Sequence, residues 1–404
     1  RRWVYNTQFF MRIHALSKSP LVLSRSLNRP MSRCIHPLCT EPHFVARIAA
    51  VVSNGCAPDP RVIREARWLL DAGHDVVVHA FDRQHSLESE AEIHGVPIRR
   101  YRVGIVPYGG TWSTWRGLKK FLSTVADNLG EVDLIHCHDA DTLPLMKLVS
   151  DTPVLFDMHD LHHTWIRMQS PNSFFRKFIS NRLKQSMLTY AKQTQAIVTS
   201  SEGFSKWLKL HNIESTTVEN RPLRQTELPM PMHPTIGYFG KVRELSSFEF
   251  LIGALQRIPE SNRPHLFIAG DGTRAKDVAE MIAKTDGITA EIQHSFHHSE
   301  HPQMMEKISV MFAMYSPERG NISEGALPSK MFEAAAYGRP SIVNSGVPMG
   351  DVCESEKLGM SVEWNNVDEL VLALNEIQGR EVTLEIDETR ERARFMSVIE
   401  NLRI

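Results

Sequence analysis

Cysteine is scarce in this chain: five among 404 residues, at positions 34, 39, 56, 137 and 353. No two form a CxxC pair and their spacing offers no zinc set, so a disulfide framework is not expected and a reducing compartment fits. Long hydrophobic runs are missing too. No apolar stretch approaches the roughly 18 residues that span a bilayer, so the sequence reads as cytoplasmic, at most peripheral to the inner face of a membrane. Neither sign of charge is in excess, with 46 Lys and Arg against 47 Asp and Glu. That balance leaves no global field to draw in nucleic acid. A GxGxxG turn is also lacking after the first apolar strand, where SNGCAP stands instead. A dinucleotide-dependent oxidoreductase is therefore disfavoured.

What the chain has is length and alternation. At 404 residues and 42% hydrophobic it exceeds what a single core organises, and two or three domains are expected. Residues 1–43 stand apart, with seven Lys and Arg against one acidic residue, Glu41. A transit peptide has this composition, but a disordered tail or non-native extension is the preferred reading. From Phe44 the pattern is regular. ARIAAVVS (46–53) is a continuous apolar strand of the kind that parallel sheets bury on both faces. In DPRVIREARWLLDAG, Asp59 caps a helix, Pro60 takes its first position, and Val62, Ala66, Leu69 and Leu70 form the apolar stripe. HDVVVHAF, VPIRRYRV, DLIHCHD, TPVLFDMHD and QAIVTSS are further strands, and FFRKFISNRLKQSMLTYAKQ (174–193) is a long basic helix. A doubly wound α/β domain over 44–220 is predicted. The proline-rich connector ENRPLRQTELPMPMHP (219–234), with the linker proper at 221–234, leads to a second strand series: TIGYFG, HLFIAGDG, AEIQHSF, ISVMFAMYS and PSIVNSG. These predict a second α/β domain over 235–385, followed by a helical segment at 386–404.

Ligands of open α/β sheets bind outside the C-terminal strand ends, so chemistry is sought on those loops, facing a cleft between the domains. In NISEGALPSKMFEAAAYGRPSIVNS (321–345), Pro328 suits a first helical position, and the helix runs to a stop at Gly338 and Pro340. Free N–H groups, the positive dipole end, Ser329 and Lys330 suit a phosphate. Glu333, one turn on, suits hydroxyls beside it. Phosphate plus hydroxyls points to a nucleotide, although an amphipathic helix with surface charges has the same spacing. GYFGKVREL (237–245) adds Lys241 and Arg243, which could neutralise a leaving diphosphate without a metal or simply be solvated. AGDGT places Gly270 in a strand-to-helix turn. On the first domain, Gly55 would let a ligand approach the backbone, or serve only a turn. HCHDADTLP carries His136, His138, Asp139 and Asp141, and FDMHD carries Asp157, His159 and Asp160. Two histidines two apart invite a metal reading, but no compact third ligand is visible, and no metal is expected. His138 is read as a hydrogen-bonding or acid–base group at the cleft, or else a packed core histidine.

Taken in order, DPRVIREARWLLDAGHDVVV, HCHDADTLP, FDMHD, IVTSSEGF, GYFGKV, FIAGDG and PSKMFEAAAYGRPSIV resemble a GT-B glycosyltransferase of the large retaining family 4, over about residues 46–375. The resemblance implies two Rossmann-like domains facing across a cleft, the first receiving the acceptor and the second the nucleotide sugar, with a final helix crossing back. It implies that Glu333 binds the ribose and Lys241 the diphosphate, that His138 faces the donor sugar, and that Gly55 lies under the donor phosphates. His138 and Glu333 are then the catalytic candidates. Arg243, Gly270, Ser329 and Lys330 complete the donor set, and Asp139, Asp157 and His159 are acceptor-side candidates. Two departures stand out. Where the family often has a glutamate eight residues before Glu333, this chain has Gly325, with Glu324 one position off. A lysine beyond the glycine turn is replaced by the Ser246–Ser247 region, with Arg243 as a substitute. The implied function is retaining, metal-independent and cofactor-free transfer of a sugar from a nucleoside diphosphate sugar to a glycan, lipid-linked or small-molecule acceptor, in polysaccharide or glycoconjugate biosynthesis. The basic helix would touch a membrane surface or merely face solvent. A non-catalytic nucleotide-sugar-binding protein and a nucleotide-sugar epimerase are the alternatives.

Overall fold

The computed structural model describes residues 45–106, 112–149, 151–168 and 172–402. Residues 1–43, read above as a tail or extension, lie outside these. In the first half, β1 (Arg47–Val52), β2 (Asp75–Phe81), β3 (Glu90–Ile93), β4 (Val96–Tyr101), β5 (Leu134–His138), β6 (Val154–Met158), β7 (Ala196–Thr199) and β8 (Thr216–Thr217) form one sheet in the order β3-β4-β2-β1-β5-β6-β7-β8. Its pairings are parallel except β3 with β4. Its helices are α1 (Pro60–Asp71), α2 (Trp112–Asn128), α3 (His162–Met168), α4 (Phe174–Ala191) and α5 (Glu202–Lys209). Burial on both faces explains why β1, β5 and β6 read as unbroken apolar runs rather than alternating ones.

The second half repeats the plan. Strands β9 (Thr235–Phe239), β10 (His265–Ala269), β11 (Ala290–Gln293), β12 (Val310–Ala313), β13 (Ser341–Asn344) and β14 (Gly359–Val362) pair in parallel in the order β11-β10-β9-β12-β13-β14. The helices are α6 (Ser246–Arg257), α7 (Ala275–Ala283), α8 (His301–Glu306), α9 (Gly320–Glu324), α10 (Ser329–Ala336), α11 (Pro348–Ser355), α12 (Val367–Glu376) and α13 (Glu388–Leu402). The architecture is mixed α/β with two Rossmann-like sheets, the GT-B plan.

Helix α13 does not pack on the second sheet. Phe395, Val398 and Ile399 join the core around Val62, Ala66, Leu69 and Val218 on the first domain. Trp68 Nε1 donates to Glu388 Oε1 at 3.0 Å, and Trp68 tilts against Phe395 at 5.6 Å. Burying these three apolar side chains contributes about 1.5–3 kcal/mol each. Where the chain passes between domains, Arg221 is almost fully buried and stacked over Phe332. It donates to Glu219 Oε2 at 2.6 Å, to both Glu356 oxygens at 2.6 and 2.7 Å, and to the Ile386 carbonyl at 3.0 Å.

Candidate active site

Helix α10 begins one residue later than the proline rule suggests. Pro328 keeps an extended ψ of 119° and so sits outside as the cap, leaving Ser329 as the first helical residue. Ser329 is exposed, whereas Lys330 turns inward, with Nζ 3.3 Å from the Tyr238 ring centre and 5.5 Å from that of Tyr315. Burial lowers the Lys330 ammonium to about 7, a shift that Glu333 opposes and Arg319 reinforces. A cation held over aromatic faces without full solvation is primed for an anion. Glu333 is partly exposed, its Oε2 3.7 Å from His301 Nε2. Sequence reasoning missed the tyrosine cushion and His301, because both come from separate strands and helices with no local motif.

The remaining donor-side candidates differ in kind. Lys241 is exposed and paired with Asp271. The Arg243 guanidinium lies 5.3 Å from the Trp165 ring of the first domain. Gly270, at φ 140°, has no room for a side chain because a Cβ would fall 2.0 Å from the Gly240 carbonyl oxygen. Its role is to let two turns touch, and Gly240 N donates to Ala269 O at 2.8 Å across them. Gly55 is likewise crowded by its own domain: a Cβ there would meet Leu87 Cδ1 at 2.5 Å, and its carbonyl accepts from Arg100 Nε. On the side a Cβ would take, Gly55 thus faces Leu87.

On the first domain, the ends of β5 and β6 carry a buried network. His138 has no exposed surface, so it does not open onto the cleft. Its Nδ1 lies 3.1 Å from Asp157 Oδ2 and 3.0 Å from His159 Nε2. Asp157 is also fully buried, which removes it from direct acceptor contact. Arg61 on α1 donates to it through Nε and Nη2 at 2.7 and 2.6 Å. The groups that do reach the surface are His159, Asp139 and His162, with side chains 15%, 16% and 27% exposed. Burial alone would lower His159, but the Asp139 and Asp157 carboxylates overturn it and raise the imidazole to about 10. Asp139 falls to about 2 against its burial, held by His162 and His159. His159 is thus a protonated donor at neutral pH.

These two halves meet. Asn321 Nδ2 donates to both Asp160 oxygens at 3.0 and 2.9 Å, and Trp165 Nε1 donates to Asp160 Oδ2 at 3.1 Å. Gly325 at φ 122° is backed directly against Gly203, with each position's missing Cβ 2.5 Å from the other's Cα. The loop that carries Gly325 is therefore an interdomain contact as well as the approach to α10.

Residues 61–219 match the family model described as Glycosyltransferase Family 4, and residues 233–379 match the one described as Glycosyl transferases group 1. Together the two models cover every strand of both sheets except β1. The chain belongs to the family 4, group 1 glycosyltransferases. A comparison with curated protein sequences found no match for this glycosyltransferase. Among solved structures, it is similar to sucrose-phosphate synthase (tll1590) from Thermosynechococcus elongatus. That pair shares 15% identity at a TM-score of 0.67, over 87% of this chain and 94% of that one. Anabaena Alr3699/HepE in complex with UDP and glucose aligns at 15% identity and TM-score 0.60, over 88% and 94%. The E. coli structure described as trehalose-6-phosphate bound with UDP-2-fluoro glucose aligns at 12% and 0.56, over 89% and 95%. At these identities the likeness shows a shared GT-B fold. Among the described residues, no helix is long and apolar enough to cross a membrane.

Proposed function

We propose that this glycosyltransferase takes a nucleoside diphosphate sugar as donor and transfers its sugar, with retention and without a metal ion at the reacting centre, to a glycan, lipid-linked or small-molecule acceptor in polysaccharide or glycoconjugate biosynthesis. The observation that carries the reading is Lys330, buried against Tyr238 at the head of α10, with Glu333 one turn along. The helix-terminal N–H groups, Lys330, Lys241 and Arg243 supply positive charge where a diphosphate departs, and Glu333 accepts from ribose hydroxyls. The complexes of the two structural neighbours with UDP, glucose or UDP-2-fluoro glucose support a donor of this class.

In the proposed step the bond from the anomeric carbon to the diphosphate oxygen breaks, and the acceptor oxygen bonds to the same face. The acceptor proton passes to an oxygen of the leaving diphosphate. Retaining glycosidases instead place a nucleophilic carboxylate about 5–5.5 Å from the acid. Asp157, the first-domain carboxylate foreseen at the cleft, is consumed by Arg61 and two histidines and is not available for that role. Of this network His159, Asp139 and His162 are partly exposed, and the donor-sugar contact is assigned to them, with His138 behind His159 as a positioning residue. Closure of the domains about the 221–234 linker excludes water and so limits hydrolysis.

A thermal-shift screen with UDP-, GDP-, ADP- and CMP-sugars tests the donor site. One of them is expected to stabilise the wild type, with the shift reduced in Glu333→Ala. Stabilisation by none, or equal shifts in the variant, overturns the nucleotide assignment at α10. The crowding of Gly325 favours a second reading, a protein that binds the donor without turnover. That protein would show the thermal shift but release no nucleotide with any acceptor. Peripheral membrane contact is proposed from α4, where Phe174, Phe175 and Phe178 are 84%, 69% and 55% exposed beside Arg176 and Lys177. Sedimentation with anionic but not neutral vesicles is its test.

A further inference from the structure

The buried network behind His159 contains more than it needs for positioning. Glu65 on α1, His136 and His138 on β5 and Asp157 on β6 each offer one ligand atom, and these atoms lie within 4.8 Å of one another, all in fully buried side chains. Five polar atoms there make no hydrogen bond, namely both carboxylate oxygens of Glu65, both ring nitrogens of His136 and Nε2 of His138; of these, Glu65 Oε1 is ion-paired with Arg61 at 3.1 Å. Leaving buried polar atoms without hydrogen bonds is costly. Native proteins rarely concentrate such a cost in one place unless something is bound there.

The orientations have a common sense. His138 Nδ1 lies 3.1 Å from Asp157 Oδ2, and with its proton on Nδ1 the ring keeps a lone pair on Nε2, which has no hydrogen-bond partner; the His136 ring centre is 4.1 Å from that of His138. Arg61 Nη2 sits 3.1 Å from Glu65 Oε1 and 2.6 Å from Asp157 Oδ1, leaving Glu65 Oε2 facing His136 Nε2 at 3.5 Å. A carboxylate behind a histidine, and a guanidinium behind a carboxylate, is the outer support that metal ligands use. Ligands about 2.0–2.2 Å from a tetrahedral ion are themselves roughly 3.3–3.6 Å apart, which is the His136–Glu65 spacing. Two histidines with carboxylates select zinc over calcium or magnesium.

We infer that Glu65 Oε2, His136 Nε2 and His138 Nε2, with Asp157 as fourth ligand or as the support of His138, form a closed structural site for one zinc ion. The sequence concealed it. The third ligand absent from the HCHD motif stands on α1, some 70 residues earlier, and only the fold delivers it. The site is sealed from the cleft, so zinc there takes no part in the transfer step. It joins α1 to β5 and β6 beneath Phe395 of α13, whose ring lies 5.6 Å from His136.

The test uses the full chain, dialysed against metal-free buffer and analysed by inductively coupled plasma mass spectrometry. About one zinc per chain is expected in the wild type and less than a fifth of that in Glu65→Gln and in His136→Gln. Stripping with a chelator should lower the melting temperature, and added zinc should restore it. Cobalt added to the stripped wild type should give the intense visible bands of a tetrahedral centre, a readout that needs no variant to fold. A wild type with under a tenth of a zinc per chain and no cobalt bands overturns the site. Equal zinc in folded variants does the same, by showing that the metal is held elsewhere.

Discussion

Lys330 couples donor binding to pH in a way that can be measured. Its ammonium is lowered from 10.5 to about 7, chiefly by burial. A shift of that size corresponds to about 5 kcal/mol held against the charged form. In the unfolded chain the lysine keeps its proton to about 10.5, whereas the folded protein releases it near 7. Between those values the unfolded state binds more protons, so stability of the donor-free protein rises with pH through that window, and the full cost is present below 7. A diphosphate beside Nζ favours the ammonium and raises its pKa in the complex. If the complex holds the proton to about pH 9, affinity falls about 25-fold between pH 7 and 9, or about 1.9 kcal/mol. Calorimetric titration with UDP-glucose over that range, in two buffers of different ionisation enthalpy, should show proton uptake peaking near pH 8 at about 0.8 and falling to about half a proton at pH 7 and 9. Lys330→Met keeps the packing on Tyr238 and should bind weakly with no pH slope. Flat wild-type affinity, or the same slope in the methionine variant, refutes the reasoning.

Glu333→Ala should weaken UDP by about 1–3 kcal/mol while leaving pyrophosphate binding nearly unchanged, since only the hydroxyl contact is lost; competition calorimetry separates the two. Arg221→Met removes the cation from buried Glu219 and partly exposed Glu356, and urea unfolding should show a loss of about 3 kcal/mol. Gly325→Glu, which restores the missing glutamate of the sequence pattern, should not raise turnover. At φ 122° with Gly203 backbone in the way, it should cost at least about 1–3 kcal/mol and separate the domains in small-angle scattering. A more active variant of unchanged stability would show that the Gly203 contact is not a constraint.

The strands were legible because a covered parallel sheet demands unbroken apolar runs, and β1, β2, β5, β6, β9, β10, β12 and β13 all announce themselves in that way. Strand β3, with the sequence EAEI, pairs antiparallel at the sheet edge and is half exposed, so no hydrophobic signal marks it. The head of α10 was legible from its proline, serine and lysine, since helix starts are local. What was not local was not legible. Gly55 and Gly270 were read as places for a ligand, and on the side that a Cβ would take the one meets Leu87 and the other the backbone of Gly240. His138 was placed at an open strand end, yet Asp157 and His159 close over it. Arg61 and Glu65 look like an ordinary charged pair on a helix surface, and nothing in their spacing says that both are buried against His136 on β5 and Asp157 on β6.

The passage between the domains has a mechanical consequence. The chain crosses once after Arg221 and again before α13, and the two crossings lie side by side. Glu388 N donates to the Pro222 carbonyl at 3.2 Å, and Arg221 Nη1 to that of Ile386 at 3.0 Å. Two fastened crossings act like a door hung on two pins. The domains can swing about the line through both, while a twist about the axis joining their centres would shear the pins apart. In the proposed closure this would leave one main swing, the one that carries Trp165 and Asp160 toward or away from Arg243 and Asn321.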